Sequence, residues 1–139
     1  MAVNSGHVIG VNGNMVDVAF DDKVIKNEVG FIQVGNERLK GEVIRINDGV
    51  ASLQVYEMTN GIAVGDKIDF TGELLSVELG PGLLTQVFDG LQNPLPQLAE
   101  QCGFFLKRGV YLDPIPNNEW EFTPVAENGD TVVAGDVIG

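Results

Sequence analysis

Short apolar runs of period two, punctuated by two-residue turn signals, fill the first eighty or so residues and restrict the fold more than anything else in the chain. Met15 to Phe20 sets Val16, Val18 and Phe20 on one side and Asp17 on the other. Val50 to Tyr56 sets Leu53 and Val55 against Gln54 and Tyr56. Such alternation is the mark of a strand with one buried face. Asn12-Gly13 and Asp48-Gly49 are hairpin signals, because both residue types tolerate positive φ. Gly35-Asn36 is a further turn and Gly65-Asp66 opens another strand. His7 to Val11, Phe31 to Val34, Leu39 to Ile46, Lys67 to Phe70 and Leu75 to Leu79 complete the series, with the alternation breaking at Val43-Ile44. Six or seven strands this short are too small for a sandwich of two large sheets. A small closed barrel, which removes exposed edges, fits them better.

At Gly80-Pro81-Gly82 the pattern changes. Leu83, Leu84, Val87, Phe88 and Leu91 recur as one face of a helix, bracketed by Gly82 and Asp89-Gly90. Pro94 and Pro96 restrict the next stretch, and Gln97 to Cys102 reads as a further helical turn or two. Phe104 to Leu106 and Trp120 to Val125 read as strands, separated by a rigid loop from Asp113 to Asn118. Asn128 to Gly139 is hairpin-like, with Gly-Asp pairs at both ends. The expected fold class is therefore mainly all-β: a small closed barrel of six or seven strands over 1–79, a short helical segment over 80–102, and a further β-rich, barrel-sandwich-like stretch over 103–139. The chain stops at Gly139 just after an apolar pair, which predicts a piece of a longer protein whose stretch after Val125 is poorly ordered.

The composition excludes several function classes. A net charge of −12 repels nucleic acid and an anionic membrane surface, and Lys107-Arg108 is the only adjacent basic pair. The same charge favours solubility and a basic protein partner. The eighteen glycines and six prolines are scattered as turn punctuation, and an apolar fraction of 44% is enough for a core. Cys102 is the single cysteine, so no internal disulfide forms and a reducing, cytoplasmic setting is expected. The first residues carry no secretion signal, and no apolar run approaches a membrane span.

No complete catalytic, cofactor or metal site can be assembled from the residues. A phosphate loop needs a lysine followed by Ser or Thr. None of Lys23, Lys26, Lys40, Lys67 and Lys107 is so placed. His7, the lone histidine, reads as a strand or surface residue, and Cys102 as a buried, inert thiol. Glu42, Glu57, Glu73 and Glu78 lie on or beside strands; an acid/base pair among them is the sharp reading and a solvated face the plain one. Asp21-Asp22 is most simply a turn, with a divalent ion as the weaker reading. Trp120 and Tyr56 suggest either a ligand platform or, by preference, packing residues.

Three stretches together resemble one family. They are Leu39 to Ile46 with Leu53 to Gly61; Leu75 to Leu84 running into Val87-Phe-Asp-Gly-Leu-Gln-Asn-Pro-Leu95; and Trp120 to Pro124 with the Gly-Asp repeat to Gly139. They resemble the N-terminal region of the catalytic A subunit (alpha chain) of V-type and archaeal-type rotary ATPases, over almost the whole chain. The resemblance implies a six-stranded barrel that joins alternating A and B subunits into a crown. It implies a passage toward a nucleotide domain from Gly80 to Leu95, and the first half of the bulge insertion that contacts the peripheral stalk from Gly103 to Gly139. The parent would bind Mg-ATP, couple its synthesis or hydrolysis to proton or sodium transport, and be a cytoplasmic, peripheral part of a membrane complex. No catalytic or cofactor residue of the family has a position here onto which it carries over. Candidate subunit-interface residues are Arg38, Arg45, Tyr56 and Glu57.

Three other readings stay open. Val125 to Gly139 has the Gly-Asp-x-Val-x-x-Gly-Asp-x-Ile pattern of a lipoyl- or biotinyl-like carrier, but no lysine follows Lys107 to be modified. A stand-alone β-barrel that binds protein is the second, and an acidic hydrolase with a carboxylate pair is a more distant one. Whether the chain is monomeric or self-associates is not written in its residues.

Overall fold

The structure is a computed structural model that describes residues 4–115 and 119–139. Six antiparallel strands form a closed barrel in the order β1-β2-β5-β4-β3-β6. They are β1 (Asn4–Asn12), β2 (Met15–Phe20), β3 (Glu28–Val34), β4 (Glu37–Asn47), β5 (Val50–Val55) and β6 (Lys67–Leu74). Closure comes from β6, which pairs with β1 through Asn4↔Phe70 to His7↔Lys67 and with β3 through Glu28↔Leu74 to Ile32↔Ile68. Leu75 to Leu79, expected as a strand, forms none. The sheet is already closed at Leu74, so a further strand has no edge to join.

The inward positions are those of the alternating pattern. Val16, Val18, Leu53, Ile68 and Phe70 are fully buried, with Val8, Ile32, Leu39, Val43 and Ala51. Phe20, Val34, Ile46 and Ile62 pack against this cluster. Gly30 faces the same interior, where an added Cβ would meet Ile68 Cδ1 at 2.9 Å and Leu53 Cδ2 at 3.2 Å. A small barrel needs such a gap where three large side chains converge. The break at Val43-Ile44 is a register shift between Val43 and Arg45 on β4. It turns Ile44 outward and returns Ile46 to the core, as a bulge does.

The turn at Asp48-Gly49 has positive φ at both residues, 44° and 77°, between paired Asn47 and Val50. The first hairpin is shifted by one residue from the expected Asn12-Gly13. Asn12 pairs with Met15, so the loop is Gly13-Asn14 and only Gly13, at 62°, is left-handed.

Beyond the barrel, the described residues hold one helix, α1 (Leu95–Cys102), with Pro94 at its N-cap and Pro96 in its first turn. A proline is tolerated there because the first N–H groups have no helical partner. It extends the helical turns expected at Gln97 to Cys102. The helix expected over Leu83 to Leu91 is absent. Thr85 and Gln92 have φ of 69° and 66°, and Leu84 and Val87 point to solvent. The Asp89 carboxylate takes the N–H groups of Leu91 and Asn93 at 2.9 and 2.8 Å, and Asp89 N–H donates to Asn93. An Asp that binds backbone nearby competes with a helix, and here it closes a turn that brings Phe88 opposite Pro94.

No strand forms at Phe104 to Leu106 or Trp120 to Val125. Phe104 and Phe105 are fully or mostly exposed, and only Val125 and Ala126 reach across, both to Ile138 O. Of the expected rigid loop, Pro116 to Asn118 lies outside the described residues. The Gly-Asp pairs do form a common turn. Ala63 to Asp66, Glu127 to Asp130 and Val133 to Asp136 each join their ends twice. The Asp N–H donates to the first carbonyl, and the Asp carboxylate takes the first N–H at 2.8, 2.8 and 2.9 Å. The glycines stand at φ 98°, 104° and 100°, which the turn demands.

Candidate functional site

The densest polar construction in the described residues is where Lys107 to Leu112 crosses the outer face of β3 and β4. Arg108 lies 2.7 Å from Glu37 and also donates to the carbonyls of Met58, at 3.0 Å, and Asn60. Gly109 has φ of 73° and lies so close to Arg38 backbone that a Cβ would meet its carbonyl oxygen at 3.2 Å. A glycine at this point lets the strap lie flat on the strand. Gly109 N–H donates to one oxygen of Glu57 at 2.7 Å, and the Tyr111 hydroxyl donates to the other at 2.7 Å. The same hydroxyl accepts the Lys40 N–H at 2.7 Å. The Tyr111 ring meets Phe31 edge-on at 5.7 Å, and Arg38 covers the Phe31 ring at 4.4 Å. Leu112 N–H is taken by Asn93, whose amide is fixed by Asp89.

Burial pushes the Tyr111 hydroxyl well above the usual tyrosine range, and the Glu57 carboxylate beside it adds to the shift. Burial and the 2.7 Å bond to Glu42 push Tyr56 up to about 12. Both phenols are therefore donors at neutral pH. Asp69 moves the other way: its bond to Lys67 holds it below the usual carboxylate range, against partial burial.

Beside the strap lies a cavity of about 610 Å3, bordered by Tyr56, Glu57, Met58, Leu98, Arg108 and Tyr111 among others. Its lining does not fit magnesium-ATP. Arg108 is spent on Glu37 and two carbonyls, and the carboxylates of Glu57 and Asp89 line the same space. No group of three or more metal-ligating side chains occurs among the described residues.

The sequence-predicted residues are scattered across this surface. Tyr56 and Glu57 are brought to the same cavity, but each is bonded within the chain. Arg38 is exposed over Phe31; Arg45 is exposed on β4 and reaches Ser52 Oγ at 3.5 Å. Glu42 binds Tyr56, Glu57 binds Tyr111, and Glu78 N–H is taken by the Gln92 side chain. These carboxylates make no bond with one another. Trp120 is half exposed and does not border the cavity with Tyr56. His7 is exposed on β1, and Cys102 is partly buried at the end of α1. Sequence reasoning missed Tyr111, Asn93 and the buried Glu28, since none carries a local pattern.

With the fold in place, the comparisons fall on it directly. Residues 8–72 match the ATP synthase alpha/beta family, beta-barrel domain. The barrel strands are thus similar to that family's barrel domain. Over its whole length the chain is 58% identical to the V-type ATP synthase alpha chain of Treponema denticola and 59% identical to alpha chain 1 of Treponema pallidum. It is 57% identical over 96% of its length to the alpha chain of Borrelia duttonii. The match is to the N-terminal region of such chains, and this chain spans about a quarter of their length, 24%, 24% and 23% respectively. Within the family, the barrel is its N-terminal structural domain. No helix among the described residues is long and apolar enough to cross a membrane.

Proposed function

We propose that the chain is the N-terminal assembly region of the catalytic A subunit (alpha chain) of a V-type rotary ATPase. The observation that carries this is 58% identity across the whole chain to a V-type ATP synthase alpha chain, with a closed barrel where the family has one. In this reading the barrel, 1–79, is a fixed link in a ring of alternating A and B subunits. The stretch 80–102 leads toward the nucleotide domain, and 103–139 begins an insertion that meets the peripheral stalk. Mg-ATP binds elsewhere in the parent, which couples its turnover to proton or sodium transport from the cytoplasmic side. A closed barrel suits the task, because it exposes no free edge and resists shear as neighbouring domains move. Arg38, Arg45, Tyr56 and Glu57 remain the interface candidates. Arg45 is the foremost, because the strap already occupies Glu57 and packs against Arg38.

The experiment is to co-express the chain with the noncatalytic B subunit and follow co-elution, alongside calorimetric titration with magnesium-ATP. Co-elution weakened by Arg45→Glu, with no heat from ATP, is expected. Micromolar ATP affinity of the chain alone, or indifference to the B subunit, contradicts the reading.

A further inference from the structure

We propose that Lys107 to Leu112 is a separately releasable strap, that this chain's own segment is the occupant of the β3–β4 outer face, and that Glu57 and Tyr111 position it. The inference rests on geometry and is independent of the ring assembly. Both oxygens of Glu57 are committed to the strap, one to Gly109 N–H and one to the Tyr111 hydroxyl. Tyr111 in turn takes the Lys40 N–H, so a single phenol joins β4 to the segment after β5. The Arg108 guanidinium spans Glu37 and the carbonyls of Met58 and Asn60, which lie on two sides of the crossing.

The strap's attachment differs in kind from that of the barrel strands. It uses side-chain bonds and one edge-on ring contact in place of a backbone ladder. It borders a cavity of about 610 Å3, and no residue from 107 to 112 belongs to the barrel's buried core cluster. An element held by side-chain bonds without a backbone ladder, and outside the core cluster, opens at lower free energy than the core beneath it. Because the three groups share Tyr111 and Glu57, the bonds are coupled and their losses do not add. The part of the β3–β4 face at Phe31 and Lys40 is thereby covered from within the chain, beside the exposed Arg38, and is reachable by another protein only when the strap lifts.

The test is amide hydrogen exchange on the whole chain, in the wild type, Tyr111→Phe, Glu57→Gln and the double variant. Tyr111→Phe removes the hydroxyl and keeps the ring, so exchange at Lys40 and Gly109 should rise at least about fivefold, the loss of one net hydrogen bond. Val18 and Leu53 in the core should keep their rates. Glu57→Gln should speed Gly109, and the double variant should fall short of the product of the two singles. Unchanged exchange at Gly109, acceleration of core amides in step with the strap, loss of the folded barrel, or full multiplicativity would each overturn the proposal.

Discussion

Residues 4–74 and the residues beyond them treat apolar side chains in opposite ways. In the barrel, Val8, Val18, Ile32, Leu53, Ile68 and Phe70 are entirely withdrawn from water. Beyond it, Leu79 is 82% exposed, Leu84 87% and Phe105 84%. Among the described residues after Leu75, Leu98 of α1 is the one buried aliphatic side chain besides Pro94. The difference is one of partners rather than composition. A strand of period two that meets a neighbour on each side buries its inner face at once, whereas Val132, Val133 and Val137 have turn geometry but no ladder. The strap is a stretch of the second region that is tied back onto the barrel.

The widest gap should come from the core. Phe70→Ala removes the largest fully buried side chain, which meets Phe20 edge-on at 6.3 Å. It is expected to cost about 3–5 kcal/mol in urea denaturation. A loss as small as a surface substitution would erase the distinction between regions.

Glu28 sharpens the comparison at the barrel's rim. It is 1% exposed, and its carboxylate takes the N–H of Ile25 at 3.0 Å and of Gly72 at 2.5 Å. Glu28→Ala leaves these amides short of a partner and should cost about 1–3 kcal/mol. Faster exchange at Gly72 should accompany it; a neutral effect would mean that water replaces the carboxylate freely.

The two tyrosines probe the strap's own side of the boundary through pH. An unperturbed tyrosine ionises near about 10. Tyr56 is raised to about 12 and Tyr111 is also raised, so the folded state holds both protons more tightly than the unfolded one. The stability they contribute is whole below about pH 10; the share from Tyr56 is lost as pH rises through about 12, and that from Tyr111 also only above the ordinary tyrosine range. Tyrosinate absorbance should therefore stay flat through pH 10 in the folded chain and appear there in urea. A step near 10 in the folded chain contradicts the hydroxyl bonds.

Leu84→Ala is the smallest effect, expected within about 0.5 kcal/mol of wild type because the side chain touches little. A large loss would show that the region beyond the barrel packs a core of its own.

How legible each region was follows the same line. The six strands could be read because alternation and turn pairs are local properties, and Asp48-Gly49 formed the expected turn. The barrel's closure followed from the edge argument. The helix over Leu83 to Leu91 failed because periodicity counts apolar residues and ignores that Asp89 prefers to close a turn on Asn93. The strands at Phe104 and Trp120 failed for want of a neighbour, which no local pattern supplies. Glu57 was singled out from sequence, but its partner Tyr111 stands 54 residues away and became visible only when the chain folded back.

The central claim is that cooperative structure resides in the barrel and that the strap is its last attached piece. The direct measurement is a pair of urea melts, one on residues 1–76 and one on residues 77–139. The account predicts a cooperative transition for 1–76, slightly weakened by loss of the strap, and none for 77–139. A cooperative transition in 77–139, or an unfolded 1–76, would contradict it.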